Sequence, residues 1–310
     1  MYNNTIRHKE SKQSEEATRD NKLMLGGEEA QNKEAQNKEA VPDRGELQDT
    51  VPIRHQKAIL VVSFGTSHRE TMGKTIEQIE TDIGRAYPDH RIYRAFTSKM
   101  IINILKSRGV PVMTVKEAMD QMLQDGMNEV IVQPTHILNG IENDIMMDEV
   151  NDCRDRFRSV KTGVPLLTST QDYHKVIRGL MEEQPFLQSE EALVYMGHGT
   201  VHYSNTSYAA LEYIFRDYGQ EDVYVGTVEA YPALNNVIRQ LRKKCYKKIK
   251  LVPFMIVSGD HALNDMAGEE EDSWKSILEK EGYEVSCSLK GLGEYKCIRD
   301  IFIEHVAKAR

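Results

Sequence analysis

The sequence predicts an α/β fold of two similar halves, each a four-stranded parallel sheet flanked by helices, with a cleft between them. Three observations predict it. From Lys57 onward, apolar runs of five to seven residues alternate with segments whose apolar residues recur at every third or fourth position, the pattern of buried parallel strands and covering helices. The runs divide four and four about a polar stretch at 182–191. Short motifs then recur at matching places in the two sets.

Taken in order, the first strand is expected near 58–63 and runs into Ser63-Phe64-Gly65-Thr66. The next helix carries Met72, Ile76, Ile79 and Ile83 on one face, and Ser67-His68-Arg69-Glu70 reads as a capping box at its start. Strands follow near 91–95, 129–133 and 164–168, with a helix bearing Met146, Val150, Cys153 and Phe157 before the last of them. Beyond the polar stretch, further strands are expected near 192–196, 222–227, 248–254 and 283–288. The halves are therefore drawn as 56–187 and 188–310. Residues 1–55 are rich in Glu, Lys, Gln and Asn and repeat Ala-Gln-Asn-Lys-Glu from Ala30 and again from Ala35. Such a segment buries too little apolar surface to offset its ordering entropy, so it reads as a disordered polar extension.

Composition narrows the function. The chain has 310 residues, 40% apolar and 28% charged, with a net charge of −8. That balance argues against a phosphate-backbone partner, and the basic cluster Arg242-Lys243-Lys244 reads as a solvated helix end. Cys153, Cys245, Cys287 and Cys297 form no C-x-x-C, so neither a zinc knuckle nor a disulfide framework is suggested. No apolar run is long enough to span a membrane, and the N-terminus lacks the order of a secretory signal, so a cytoplasmic protein is expected. The chain has no G-x-G-x-x-G, P-loop or G-x-S-x-G motif, which leaves nucleotide binding and serine nucleophile chemistry without support.

The halves share two signals. Phe64-Gly-Thr in one corresponds to His198-Gly-Thr in the other, and each third strand carries Pro-x5-Gly, as Pro134 to Gly140 and Pro253 to Gly259. Two residues past each glycine stand Glu142 and His261. In doubly wound sheets the loops after the strands' carboxyl ends line the ligand crevice, which would place Phe64, Glu142, His198 and His261 on its walls. Read locally, His198 between its glycines is either a ligand or a turn residue bonding nearby. His261, with Asp260 before it and Asp265 after, suits a Co, Ni, Fe or Zn ion, or simply a loop. Glu229, taken alone, reads as the charge at the start of the next helix, or else a third group in the crevice. His136 is a further imidazole that would otherwise fill a strand end. Gly65, Thr66 and Ser67, with Arg94 and Lys99, offer donors and positive charge to an anionic ligand. The acidic run Glu269 to Asp272 reads as a solvated helix start or a gatherer of cations.

Together, Lys57-Ala-Ile-Leu-Val-Val-Ser-Phe-Gly-Thr-Ser67, Arg94-Ala-Phe-Thr-Ser98, His136-Ile-Leu-Asn-Gly140, Met196-Gly-His-Gly199, Val228-Glu-Ala-Tyr-Pro232, Gly259-Asp-His-Ala-Leu-Asn-Asp-Met266 and Gly291-Leu-Gly-Glu294 resemble the anaerobic cobalt chelatases. These sirohydrochlorin cobaltochelatases are ATP-independent class II chelatases related in fold to ferrochelatase. The resemblance runs from about Lys57 to the end. It implies two flavodoxin-like halves around a tetrapyrrole cleft, and insertion of Co2+ into sirohydrochlorin on the early-cobalt route to cobalamin. Ferrochelation toward sirohaem and a non-catalytic tetrapyrrole or metal carrier stand as alternatives. The family's metal ligands fall on His198, Glu229 and His261. Glu142 occupies a further position implicated in metal handling, and His198, His261 and Glu142 are the expected catalytic residues. Where the family often has an acid or similar polar residue before that glutamate, this chain has Ile141. Phe64, Gly65, Thr66, Ser67, Arg94, Lys99 and His136 are the candidate tetrapyrrole contacts. No cofactor beyond the substrate metal Co2+ is implied, with Fe2+ or Ni2+ as substitutes in vitro. Expected partners are sirohydrochlorin and a divalent metal, without nucleic acid or membrane, and a homo-oligomer is compatible with the sequence.

Overall fold

The computed structural model describes residues 56–183 and 187–310, all within one compact unit. The expected extension 1–55 and the middle of the expected linker lie outside the described residues. Among the described residues, eight strands form two sheets. β1 (Lys57–Ser63), β2 (Arg91–Phe96), β3 (Glu129–Pro134) and β4 (Ser159–Thr162) lie in the order β2-β1-β3-β4. In the second sheet, β5 (Glu191–Gly197), β6 (Val223–Thr227), β7 (Lys248–Pro253) and β8 (Glu284–Cys287) repeat that order as β6-β5-β7-β8. Every pairing is parallel. The registers repeat too: Val62 pairs with Pro134 in one sheet and Met196 with Pro253 in the other. Just beyond, the Thr135 N–H donates to the Val62 carbonyl and the Phe254 N–H to the Met196 carbonyl, both at 2.7 Å. The motif-level duplication is thus repeated in topology and register. In each sheet the chain leaves the first and third strands in opposite directions, which opens a switch-point crevice at their carboxyl ends.

The described residues form ten helices: α1 (Arg69–Lys74), α2 (Ile76–Ala86), α3 (Lys99–Ser107), α4 (Val115–Gln124), α5 (Ile141–Cys153), α6 (Thr170–Glu183), α7 (Thr206–Asp217), α8 (Leu234–Leu241), α9 (Trp274–Lys280) and, after the last strand, α10 (Lys296–Ala307). Alternation along the strands sorts their side chains into layers. Ala58, Leu60 and Val62 of β1 pack outward with Val115, Met119 and Met122 of α4 and Met146 and Val150 of α5. Ala192, Val194 and Met196 of β5 pack with Val237 and Leu241 of α8 and with Trp274. The other faces, Ile59 and Val61 on β1 and Leu193 and Tyr195 on β5, share one central core with α2, α6, α7 and α10. This common layer fixes the two sheets against each other, since each fully buried Ile, Leu or Phe contributes about 1.5–3 kcal/mol.

The C-terminal helix α10 returns to the first sheet. Arg299 Nε donates to Asp82 Oδ2 at 2.6 Å, His305 contacts the Val164 carbonyl and Asp172, and Arg310 exchanges backbone hydrogen bonds with Thr162 at the edge strand.

Three local expectations are corrected. The helix through Met72 and Ile83 is interrupted at Thr75, whose hydroxyl donates to the Thr71 carbonyl at 2.6 Å while its backbone leaves helical geometry; such back-bonding bends helices. All four apolar residues are nevertheless buried. The capping box at Ser67 does not form: His68 is the N-cap, and Glu70 pairs with Lys74 instead of reaching back. The fourth strand is Ser159–Thr162, not 164–168. Pro165 has no N–H for a ladder, and Leu166 and Leu167 donate to the His136 and Ile137 carbonyls at 2.9 and 2.8 Å. Their burial in the central core is what the apolar run records.

Candidate metal centre

β5 ends at Gly197, and His198 is the first residue past it. A Cβ on Gly197 would stand 2.3 Å from the ring of Tyr208, and Gly199 has φ +87°, in the left-handed region that favours glycine. The space a side chain at Gly197 would need is taken by Tyr208, a buried residue of α7. Burial pushes the Tyr208 hydroxyl pKa up to about 12. The loop after β6 is then tied alongside. The Val228 N–H donates to the Gly197 carbonyl at 3.0 Å and the Glu229 N–H to the His198 carbonyl at 2.9 Å. Glu229 therefore stands beside His198 and is no helix cap, since α8 begins at Leu234 with Ala233 as its N-cap.

His261 opens a π-helical turn, His261–Met266, whose Ala262 and Met266 are buried against the outer core. The turn brings Asp265 beneath the imidazole, with Oδ2 2.6 Å from His261 Nδ1. That hydrogen bond raises the His261 pKa above its ordinary value.

The loops converge. The His198 and His261 rings meet edge to face with centroids 4.7 Å apart, and Glu229 Oε2 lies 3.7 Å from His198 Nδ1. One donor atom from each of His198, Glu229 and His261 lies within 4.8 Å of the others. Metal–ligand bonds of about 2.1 Å allow ligand atoms to lie up to about 4.2 Å apart, so a slight closure suffices to coordinate one ion. The hydrogen bonds also assign the tautomers. His198 Nδ1 lies 2.9 Å from the Gly199 carbonyl, an oxygen that can only accept, and His261 Nδ1 faces a carboxylate. Both protons therefore sit on Nδ1 when the rings are neutral, leaving both Nε2 lone pairs for a metal.

These residues form one wall of a cleft of about 620 Å³, within the range of small-molecule sites. Phe64, Gly65, Thr66, Ser67, His136 and Glu142 line it from the first half. Lys99 lies in an adjoining pocket of about 350 Å³ shared by Phe64 and Glu142. Phe64 is 42% exposed despite its apolar ring. His136 is the reverse case, with 8% exposure and no hydrogen-bond partner at either ring nitrogen; burial lowers its pKa to about 4. Arg94 does not join them. Its guanidinium turns to α2, donating to both oxygens of Glu80 at 2.7 and 2.5 Å, because an inward strand residue so close to a partly buried carboxylate is best satisfied there. The acidic run before α9 pairs outward, Glu269 with Lys275 and Glu271 with Lys280. Sequence reasoning missed His68, Asp144 and His202, although His68 and His202 stand at matching distances past Phe64 and His198. Among the described residues, no helix is long and apolar enough to cross a membrane.

Two parallel α/β halves around a cleft, with imidazole and carboxylate donors gathered on one wall, define a chelatase-type protein. The model of the family "Cobalt chelatase (CbiK)" matches residues 57–310, and the chain belongs to that family. It is 39% identical over 255 residues to a sirohydrochlorin cobaltochelatase of Salmonella typhimurium, covering 82% of this chain and 96% of that one. It is 31% identical over 277 residues to the sirohydrochlorin cobaltochelatase CbiKC of Nitratidesulfovibrio vulgaris, covering 87% and 98%. Among solved structures, SirB from Bacillus subtilis with Fe3+ shares the fold, with a TM-score of 0.59, 14% identity and coverage of 81% of this chain and 94% of that one.

Proposed function

We infer that this chain inserts Co2+ into sirohydrochlorin, as a metal chelatase of cobalamin biosynthesis that needs no ATP. The observation that carries the site assignment is the convergence of His198, Glu229 and His261 within 4.8 Å on one wall of the cleft. The reaction exchanges the two pyrrolic protons for the metal, so the site must hold Co2+, present the macrocycle and take up protons.

In this reading the second half, 188–310, holds the ion through His198 Nε2, His261 Nε2 and the Glu229 carboxylate, which offsets part of its charge. Imidazole and carboxylate suit Co2+ and Fe2+ alike, so metal choice is not written in the donor set. As the ion passes to the ring nitrogens, the released imidazoles, His261 first, accept the displaced protons. Asp265 suits His261 to that task by making it more basic.

The first half, 56–187, presents the macrocycle. Phe64 packs on its face, and Gly65, Thr66 and Ser67 approach its rim. Lys99 meets carboxylates of its periphery, and Glu142 stands near the metal path. His136 is neutral at physiological pH and has one donor and one acceptor unmet by protein, which suits it to hydrogen-bond the bound ring. Buried polar groups without partners are rare, and a ligand is the natural one here. We place the reaction in the cytoplasm, where soluble precursors meet the enzyme.

The experiment follows metal insertion by the absorbance change of sirohydrochlorin with purified protein and Co2+. Turnover beyond one equivalent separates an enzyme from a carrier, and competition between Co2+ and Fe2+ tests the metal. Failure of the wild type with every divalent metal overturns the reading.

A further inference from the structure

Two histidine–carboxylate contacts cross the cleft at its rims. His68 Nε2 lies 2.8 Å from Asp260 Oδ1, and His202 Nε2 lies 3.3 Å from Asp144 Oδ2. Their places in the fold match. His68 stands four residues past Phe64 and His202 four past His198. Each backbone N–H donates to the threonine two residues earlier, Thr66 or Thr200, both at 3.2 Å. Each imidazole then reaches the segment that follows the third strand of the opposite sheet. Asp260 immediately precedes His261, and Asp144 lies two residues after Glu142. Each contact therefore joins the first-strand loop of one half to the third-strand segment of the other, beside a residue assigned to metal handling.

The His202 side is further built. Its Nδ1 lies 2.9 Å from Ser204 Oγ and its ring centroid 3.9 Å from that of Tyr203. The two halves also touch here, since a Cβ on Gly140 would stand 3.4 Å from the Ser204 side-chain Oγ, an ordinary van der Waals distance. The central helix layer already holds the sheets together, and ion pairs whose carboxylate faces solvent, as Asp260 and Asp144 do here, add little to stability. Their effect is geometric.

Building on the chelatase reading, we infer that His68–Asp260 and His202–Asp144 are a pair of latches that set the width of the cleft and so position the tetrapyrrole against His198 and His261. They are positioning residues, outside the metal-holding trio. A planar ring gripped between two walls is sensitive to their separation, because a misplacement of about 1 Å can cost about a hundredfold in rate.

The test compares the wild type with His202→Ala, Asp144→Ala and the double variant, all in the full chain. It measures KM for sirohydrochlorin, Co2+ affinity and melting temperature. Each single variant is expected to raise KM about threefold to tenfold, and the double variant to lie within about twofold of the worse single, as removal of either end of one contact requires. Co2+ affinity and melting temperature should stay at wild-type values. Additive effects, an unchanged KM, or a joint fall in melting temperature and Co2+ affinity overturns the latches. His68→Ala should raise KM in the same way at the other rim. A wild type that inserts no metal defeats the chelatase reading separately. The same variants are then read by absorbance titration of sirohydrochlorin binding, where coupled weakening upholds the latches and an unchanged Kd overturns them.

Discussion

His198 and His261 meet edge to face with ring planes at 85°, though one follows β5 and the other β7. The contact exists because these strands are neighbours whose loops part at the switch point, and because each ring has its Nδ1 tied to an oxygen. Removing either ring should therefore dismantle one shared site. His198→Ala and His261→Ala are each expected to weaken Co2+ binding by about a hundredfold or more, beyond what loss of an outer hydrogen bond costs. Calorimetric Co2+ titration and insertion rates check this. Wild-type rates in His261→Ala would remove it from the mechanism.

Asp265 sets the pH response. Its hydrogen bond raises the His261 pKa from an ordinary value of 6.5, so the imidazolium persists to higher pH in the metal-free protein, and Co2+ must displace that proton. Co2+ affinity should rise with pH through a midpoint above 6.5. Asp265→Asn should move the midpoint down and, by loosening the ring, weaken binding about tenfold at high pH. A midpoint that does not move argues against this pairing.

Gly197 is held to hydrogen by the ring of Tyr208, 2.3 Å from where a Cβ would stand. Gly197→Ala must displace a buried aromatic ring, with an expected loss of about 1–3 kcal/mol. Denaturant unfolding measures it, and a Tyr208→Ala background should relieve the clash. Equal losses in both backgrounds would show that Tyr208 is not the obstacle.

Arg94 and Lys99 should part company. Arg94→Ala strips Glu80 of its bidentate partner and should cost about 2 kcal/mol of stability with KM for the tetrapyrrole unchanged. Lys99→Ala, at the pocket beside the cleft, should raise KM and leave the melting temperature alone. The opposite pattern would return Arg94 to the substrate.

His136→Phe replaces a buried imidazole that has no partner with an apolar ring, so stability should hold or rise. Loss of one hydrogen bond to the ligand should weaken sirohydrochlorin binding about tenfold. Unchanged binding, measured by absorbance titration, would make His136 a filler of the strand end.

Much of this was legible in the chain because it rests on local periodicity and short-range chemistry. The apolar runs at β1, β5 and β6 report burial on both faces of parallel strands, and seven of the eight expected strands formed close to where they were expected. The run at 164–168 reported burial equally well but lay beside the sheet, because periodicity records an apolar environment and not a ladder partner. The matched positions Phe64 and His198, and Glu142 and His261, could be read by counting from Gly-Thr and Pro-x5-Gly. Arg94 was misread because counting along a strand end does not tell which layer a long side chain enters.

The sequence by itself determined the two-half α/β plan and the family, and it singled out His198, Glu229 and His261 as candidate donors, since each depends on residue identity and spacing within single segments. Only the tertiary structure decided that Glu229 lies beside His198 instead of capping α8, that Asp265 and not Asp260 orients His261, and that His68 and His202 reach across to opposite halves. Those relations depend on which loops adjoin at the switch points of two facing sheets. That proximity is made by strand order and the shared central core, and no single segment encodes it.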